Sequence, residues 1–137
     1  MRRVSFLCSV FLFFVVFSSC KDDSNPVNKI EDIVFPAKNI SYKRTIQPLF
    51  NIACAVPGCH SFEDRKGNID LTSYEALKLA PNLVVAGKPE LSRLTKSVEA
   101  WYTPNGTNPM PPYRALTSNQ VTGLKQWITE GATDTIP

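Results

Sequence analysis

Three of the most reactive side chains in this chain lie within seven positions, in Cys54-Ala55-Val56-Pro57-Gly58-Cys59-His60. His60 is the single histidine, and the other two cysteines, Cys8 and Cys20, stand far upstream. Sulfur and imidazole nitrogen are ligands for transition metals, and in an oxidising compartment two neighbouring thiols also tend to close a disulfide. On a helix Cys54 and Cys59, five apart, would point about 140° away from each other. Pro57-Gly58 breaks a helix between them, because proline fixes φ and glycine admits φ > 0. The segment is therefore predicted to be a loop compatible with both sulfurs reaching a common partner. A zinc site would need a fourth ligand, for which Glu63 and Asp64 are the nearby carboxylates. The sequence has no Gly-rich phosphate loop and no Ser-His-Asp set in which His60 serves as base.

The elements that must position this segment follow from periodicity. Tyr42, Ile46, Leu49, Phe50 and Ala53 recur at three- and four-residue steps, an apolar helical stripe that places Cys54 at a helix end. Pro48 inside the stripe predicts a kink, or a helix that starts there. Ser61 to Asn68 is polar and reads as a loop, followed by a short extended link, Ile69-Asp70-Leu71. Thr72 and Glu75 have capping-box spacing, which predicts a helix from Ser73 to about Leu79, ended by Pro81. Pro89 at a helix start predicts a further helix to about Val98. Glu99 to Leu116 is a loop rich in Pro, Gly and Asn that holds Met110-Pro111-Pro112. Thr117 and Gln120 repeat the capping-box spacing. Val121, Leu124, Trp127 and Ile128 then form the stripe of a last helix, from about Ser118 to Glu130, with Gly131 just beyond it. The expected fold class is all-α, and no internal repeat is visible.

Residues 1–19 read as a lipoprotein signal peptide. Arg2 and Arg3 precede an apolar run from Val4 to Phe17, shorter than the roughly 20 residues of a membrane-spanning helix. Ser18-Ser19-Cys20 resembles a lipobox, which makes Cys20 the lipidated first residue of the mature chain, while Cys8 leaves with the leader. Residues 20–40 read as a lipidated flexible linker, polar and poor in large apolar side chains to about Asn39. The pair Asp22-Asp23 is similar to tags that send some Gram-negative lipoproteins to the cell surface. The expected location is the cell envelope of a Gram-negative bacterium, lipid-anchored and either periplasm-facing or at the cell surface. Loss of the leader takes the net charge from +3 to about +1, which gives no case for nucleic acid as a partner.

The segment from Cys54 to His60 resembles the haem-attachment site of c-type cytochromes, with four residues rather than two between the cysteines. Leu71-Thr72-Ser73-Tyr74-Glu75-Ala76-Leu77 is similar to a Leu-x-Ser-Tyr-x-Ala-Leu segment of one bacterial group of that family. Gly87-Lys88-Pro89-Glu90-Leu91-Ser92-Arg93-Leu94 is similar to the Gly-x-Pro-x-x-Ser-x-Leu segment that follows there, and Met110-Pro111-Pro112 resembles its axial-methionine loop. These pieces come in the family's order across residues 41–133, ahead of a short tail, 134–137. The resemblance implies a small cytochrome c-like helical domain around one haem, behind a signal peptide and flexible tether. It implies haem c, covalent and one per chain, held by Cys54 and Cys59, with His60 as proximal and Met110 as distal iron ligand. Consecutive prolines hold a polyproline-type backbone, so Pro111-Pro112 can present one thioether in a fixed direction. The first and last helices cross in that family, and Phe50 and Trp127 are the candidates for the contact. Arg93, Tyr113 and Arg114 are candidates to meet haem propionates.

The expected function is that of a monohaem c-type cytochrome, a one-electron carrier rather than an enzyme. It would be anchored to an envelope membrane by lipid and would exchange electrons with a redox protein. The competing expectation is a cofactor-free binding or scaffold lipoprotein with a Cys54–Cys59 disulfide. Third comes a haem enzyme with an open sixth site, against which Met110 argues.

Overall fold

The computed structural model describes residues 29 to 135. The leader, the lipidation site Cys20 and the linker as far as residue 28 lie outside the described residues. Among the described residues every regular element is helical, as the sequence predicts. A 3-10 turn, Ile30–Asp32, is followed by a π-helical turn, Tyr42–Ile46, which runs directly into α1, Gln47–Ala53. A 3-10 turn at Lys66–Asn68 precedes α2, Tyr74–Leu79. Another, Pro89–Leu91, precedes α3, Arg93–Glu99, and α4 is Ser118–Thr129.

Pro48 shapes the first helical run. It has no amide proton, and its ring crowds the carbonyl four residues back. The chain answers by widening to π register ahead of it. Ile46 donates to the Ser41 carbonyl and Gln47 to the Tyr42 carbonyl, each five residues back, and the Ser41 hydroxyl caps the start by accepting from the Arg44 amide. The α-helix then begins with Pro48 in its first turn. Kink and helix start are thus one feature, a change of register inside a continuous run.

Two other helix starts differ from expectation. Ser73, not Thr72, caps α2 by accepting from the Ala76 amide, while Thr72 turns back to Asp70 through both its amide and its hydroxyl. The helix expected from Pro89 to Val98 is broken at Ser92, whose backbone is extended. The Ser92 hydroxyl is fully buried, accepting from the Val85 amide and donating to the Lys88 carbonyl. A serine with such local partners competes with helical bonding. At α4 the predicted capping box between Thr117 and Gln120 is present in both directions. Its C-terminus closes as a Schellman motif, Ala132 donating to Trp127 and Gly131, at φ 101°, to Ile128.

Tyr42, Ile46, Leu49 and Phe50 bury one face of the first run, and Val121, Leu124, Trp127 and Ile128 bury the matching face of α4. The aromatic contact between them runs through Tyr42. Its ring lies 6.5 Å from Phe50 and 5.7 Å from Trp127, centre to centre, with Tyr74 at 5.1 Å on the same ring. The expected pair of Phe50 and Trp127 is therefore a trio with Tyr42 in the middle. Burial pushes the Tyr42 phenol well above its ordinary pKa, and its hydroxyl donates to Gln47 at 2.5 Å.

The linker reading fails for residues 30–40. Ile30, Ile33, Phe35 and Ile40 are buried, and this strap lies along α4 in the same direction. Gln120 donates to the carbonyls of Ile30 and Ile33. Asn119 grips Phe35 at both ends of its backbone, accepting from the amide at 2.8 Å and donating to the carbonyl at 3.1 Å. Glu130 accepts the amides of Asn39 and Ile40, both at 2.9 Å. The Phe35 ring sits on Gly123, where a β-carbon would fall 2.1 Å from the ring carbon Cδ1. The packed domain thus begins near Ile30, not at Ser41.

Candidate functional site

Cys54 stands one residue past α1, and its amide still donates to Phe50 at 2.8 Å. Beyond it the chain folds back on itself. Cys59 donates to the Val56 carbonyl at 3.0 Å, closing a turn whose inner residues are Pro57 and Gly58. Gly58 has φ 79°, the positive value that position i+2 of a type II turn requires. His60 then donates to the Cys54 carbonyl at 3.1 Å. The helix end, the turn and the histidine are one loop closed by backbone hydrogen bonds, with the predicted helix break at Pro57-Gly58.

Both cysteines are free thiols and half-buried. Burial, reinforced by the neighbouring Cys59, pushes the Cys54 thiol up to about 12. Cys54 is thus neutral near neutral pH and a poor initiator of disulfide exchange in the folded chain. His60 is also half-buried, and its Nδ1 lies 3.3 Å from the Ile69 carbonyl. A carbonyl only accepts, so a hydrogen bond at this contact has Nδ1 as its donor. A carbonyl partner on one ring nitrogen is a feature that metal-ligating histidines share.

The loop after His60 is tied back to the site. Lys66 donates to the Cys59 carbonyl at 2.9 Å and Leu71 to the His60 carbonyl at 3.0 Å. Asp64 accepts from the Gly58 amide and from the Ser61 hydroxyl, both at 2.7 Å. The Ser61 bond, then the Gly58 bond, hold the Asp64 carboxyl below the usual carboxylate range. Asp64 is therefore engaged in the loop itself. Among the described residues no group of three or more His, Cys, Asp or Glu side chains gathers to hold a metal ion, which leaves an all-protein zinc site without support.

Met110 sits on a separate loop, half-buried, with its amide donating to Ser97 of α3 at 3.0 Å. Pro111 is buried, and its carbonyl accepts from the Trp101 indole at 3.0 Å. The hydrogen bonds of this loop run to α3 and Trp101, not to the loop of residues 54–60. Arg93 reaches the Pro81 carbonyl at 3.4 Å, Arg114 pairs with Glu31 at 3.1 Å, and Tyr113 is 92% exposed. Two open clefts of about 410 and 330 Å³ lie around Lys96, Glu99, Thr103 and Val121, and none of the four cofactor candidates lines them.

Sequence reasoning missed the Ile69 carbonyl and the Asp64 clasp. The carbonyl is a backbone atom nine residues beyond His60 and leaves no trace in residue types. The clasp does leave one, since Ser61 and Asp64 have the Ser-x-x-acid spacing of a helix start.

No family model, curated protein or solved structure matches this chain. The site is accordingly read from its own donor set. Two free thiols and an imidazole on one loop are the side-chain types that covalent attachment and axial ligation of one haem use.

Proposed function

We propose that this chain is a monohaem c-type cytochrome, a one-electron carrier held at an envelope membrane by lipid on Cys20. The observation that carries the reading is the loop in which two free thiols flank a turn next to His60, with Nδ1 of His60 given to the Ile69 carbonyl. Cys54 and Cys59 would hold the porphyrin through thioethers, His60 Nε2 would be the proximal ligand and the Met110 thioether the distal one. Haem, when bound, supplies the Fe(III)/Fe(II) couple. The protein's part is to fix the imidazole through Ile69, to hold the sulfurs on one loop, and to carry Met110 on a loop tied to α3. A redox protein is the expected partner. The meeting of the first helical run and α4 through Tyr42 is compatible with a cytochrome c-like fold.

Intact-mass measurement on denatured protein from a host with haem-attachment machinery tests this. The expected result is the mature chain plus one haem. Replacing Cys54 or Cys59 singly by Ser should leave one bond, and replacing both should leave none. A chain without haem and with a Cys54–Cys59 disulfide would instead mean a cofactor-free binding lipoprotein. For the anchor, Cys20→Ala should abolish lipidation and leave the precursor uncleaved by lipoprotein signal peptidase. Normal processing and membrane partitioning of that variant would remove the lipoprotein part of the proposal.

A further inference from the structure

A spacer of four residues between two attachment cysteines poses a positional problem. Cys54 is held by α1, whereas Cys59 is tied through its own carbonyl, which accepts the Lys66 amide at 2.9 Å, and through the spacer, which each added residue loosens. The turn bond from Cys59 to Val56 lies inside the spacer and moves with it. Among the described residues, one hydrogen bond ties spacer residues 55–58 to the chain beyond His60. It is the bond from the Gly58 amide to Asp64 Oδ2, at 2.7 Å. We infer that Asp64 is the positioning residue of the spacer, fixing Cys59 relative to Cys54 so that both sulfurs can serve one haem. The inference rests on the cytochrome reading and assigns a role in it to a residue whose hydrogen bonds go to Gly58 and Ser61, not to either sulfur.

Asp64 is built for this. The same Oδ2 accepts the Ser61 hydroxyl at 2.7 Å, the Ser61 oxygen accepts the Asp64 amide at 3.2 Å, and Arg65 donates to the Ser61 carbonyl at 3.0 Å. Ser61 is buried and directly follows His60. One small box therefore joins the histidine to the residue just before Cys59. Bonds accepted by a carboxylate are shorter and stronger than neutral ones, which suits a single tie. An asparagine carbonyl could accept the same two donors, whereas alanine accepts none.

The test compares the unaltered chain with Asp64→Ala and Asp64→Asn, all made in a host with haem-attachment machinery. Denatured samples are alkylated, and free cysteines are located by peptide mass mapping. Asp64→Ala should show a several-fold larger share of haem-bearing chains in which Cys59, and not Cys54, is alkylated. Asp64→Asn should restore most of the double attachment. Amide hydrogen exchange at Gly58 should be several-fold faster in haem-free Asp64→Ala than in the haem-free unaltered chain. Asp64 is exposed and outside the core, so far-ultraviolet circular dichroism should show the fold retained. Equal double attachment in the alanine variant, or loss of the Cys54 bond instead, would overturn the inference. If the unaltered chain carries no haem, the cytochrome reading fails by itself. Positioning is then read from Cys54–Cys59 disulfide formation, which Asp64→Ala should slow several-fold, and an unchanged rate would overturn it.

Discussion

Gly123→Ala is expected to destabilise the domain by about 1–3 kcal/mol, the range for overpacking a filled site. The sign is the unusual part, because alanine in place of glycine inside a helix normally adds roughly 1 kcal/mol. Here the new methyl group would fall 2.1 Å from one Phe35 ring carbon and 2.2 Å from another, so the strap must shift or leave. Phe35→Ala alone should cost about 3–5 kcal/mol, as for other buried aromatics. The two changes should not add. In a double-mutant cycle followed by urea unfolding, Phe35→Ala should cost much less once Gly123 is already alanine, since the methyl group then fills part of the space the ring has left. Additive losses would mean that Phe35 and Gly123 do not share one contact in solution.

With haem bound as proposed, Met110→Ala is expected to lower the reduction potential by on the order of 0.1 V, because axial ligands are the main control on a haem iron. The substitution is a clean one. The loop is held by backbone bonds, the amide of residue 110 to Ser97 and the carbonyl of residue 111 to Trp101, and alanine keeps both. Only the thioether is lost. The oxidised protein should lose a weak near-infrared sulfur-to-iron band, and the iron should open to added ligands. Met110→His should restore six-coordination while keeping the potential low, since imidazole favours ferric iron relative to a thioether. An unchanged spectrum and potential in Met110→Ala would make Met110 a packing residue. The proposal would then shift toward a ligand-binding or catalytic haem protein.

What the sequence disclosed about this fold depended on how local the cause was. The α4 helix was legible end to end because its signals lie within it, a capping box at Thr117 and Gln120, a stripe through Trp127, and Gly131 at its exit. The break at Ser92 was not, because a buried hydroxyl bonding Val85 and Lys88 is decided by loop packing, not by residue type. The strap was misread for the same reason. Its apolar side chains are spread among polar ones, and its partners Asn119, Gln120 and Glu130 lie more than 80 residues away. In the site, Cys54 at a helix end and a turn at Pro57-Gly58 followed from spacing and turn chemistry. The partner of His60 is a main-chain oxygen, and the anchors of the Met110 loop are Ser97 and the Trp101 indole. None of these is announced by a motif.

With lipid on Cys20 as proposed, the docked strap would also limit how far the domain could travel from that anchor. A linker free to Ile40 would allow twenty residues beyond Cys20, a contour of about 70 Å. With Ile30 already buried in the domain, ten residues separate it from Cys20, a contour of about 35 Å. Halving that length raises the effective concentration of the domain near the membrane roughly threefold. With lipid on Cys20, electron exchange would be confined to partners whose redox centres stand close to the same bilayer. Carriers across a wide periplasmic gap would be beyond its reach.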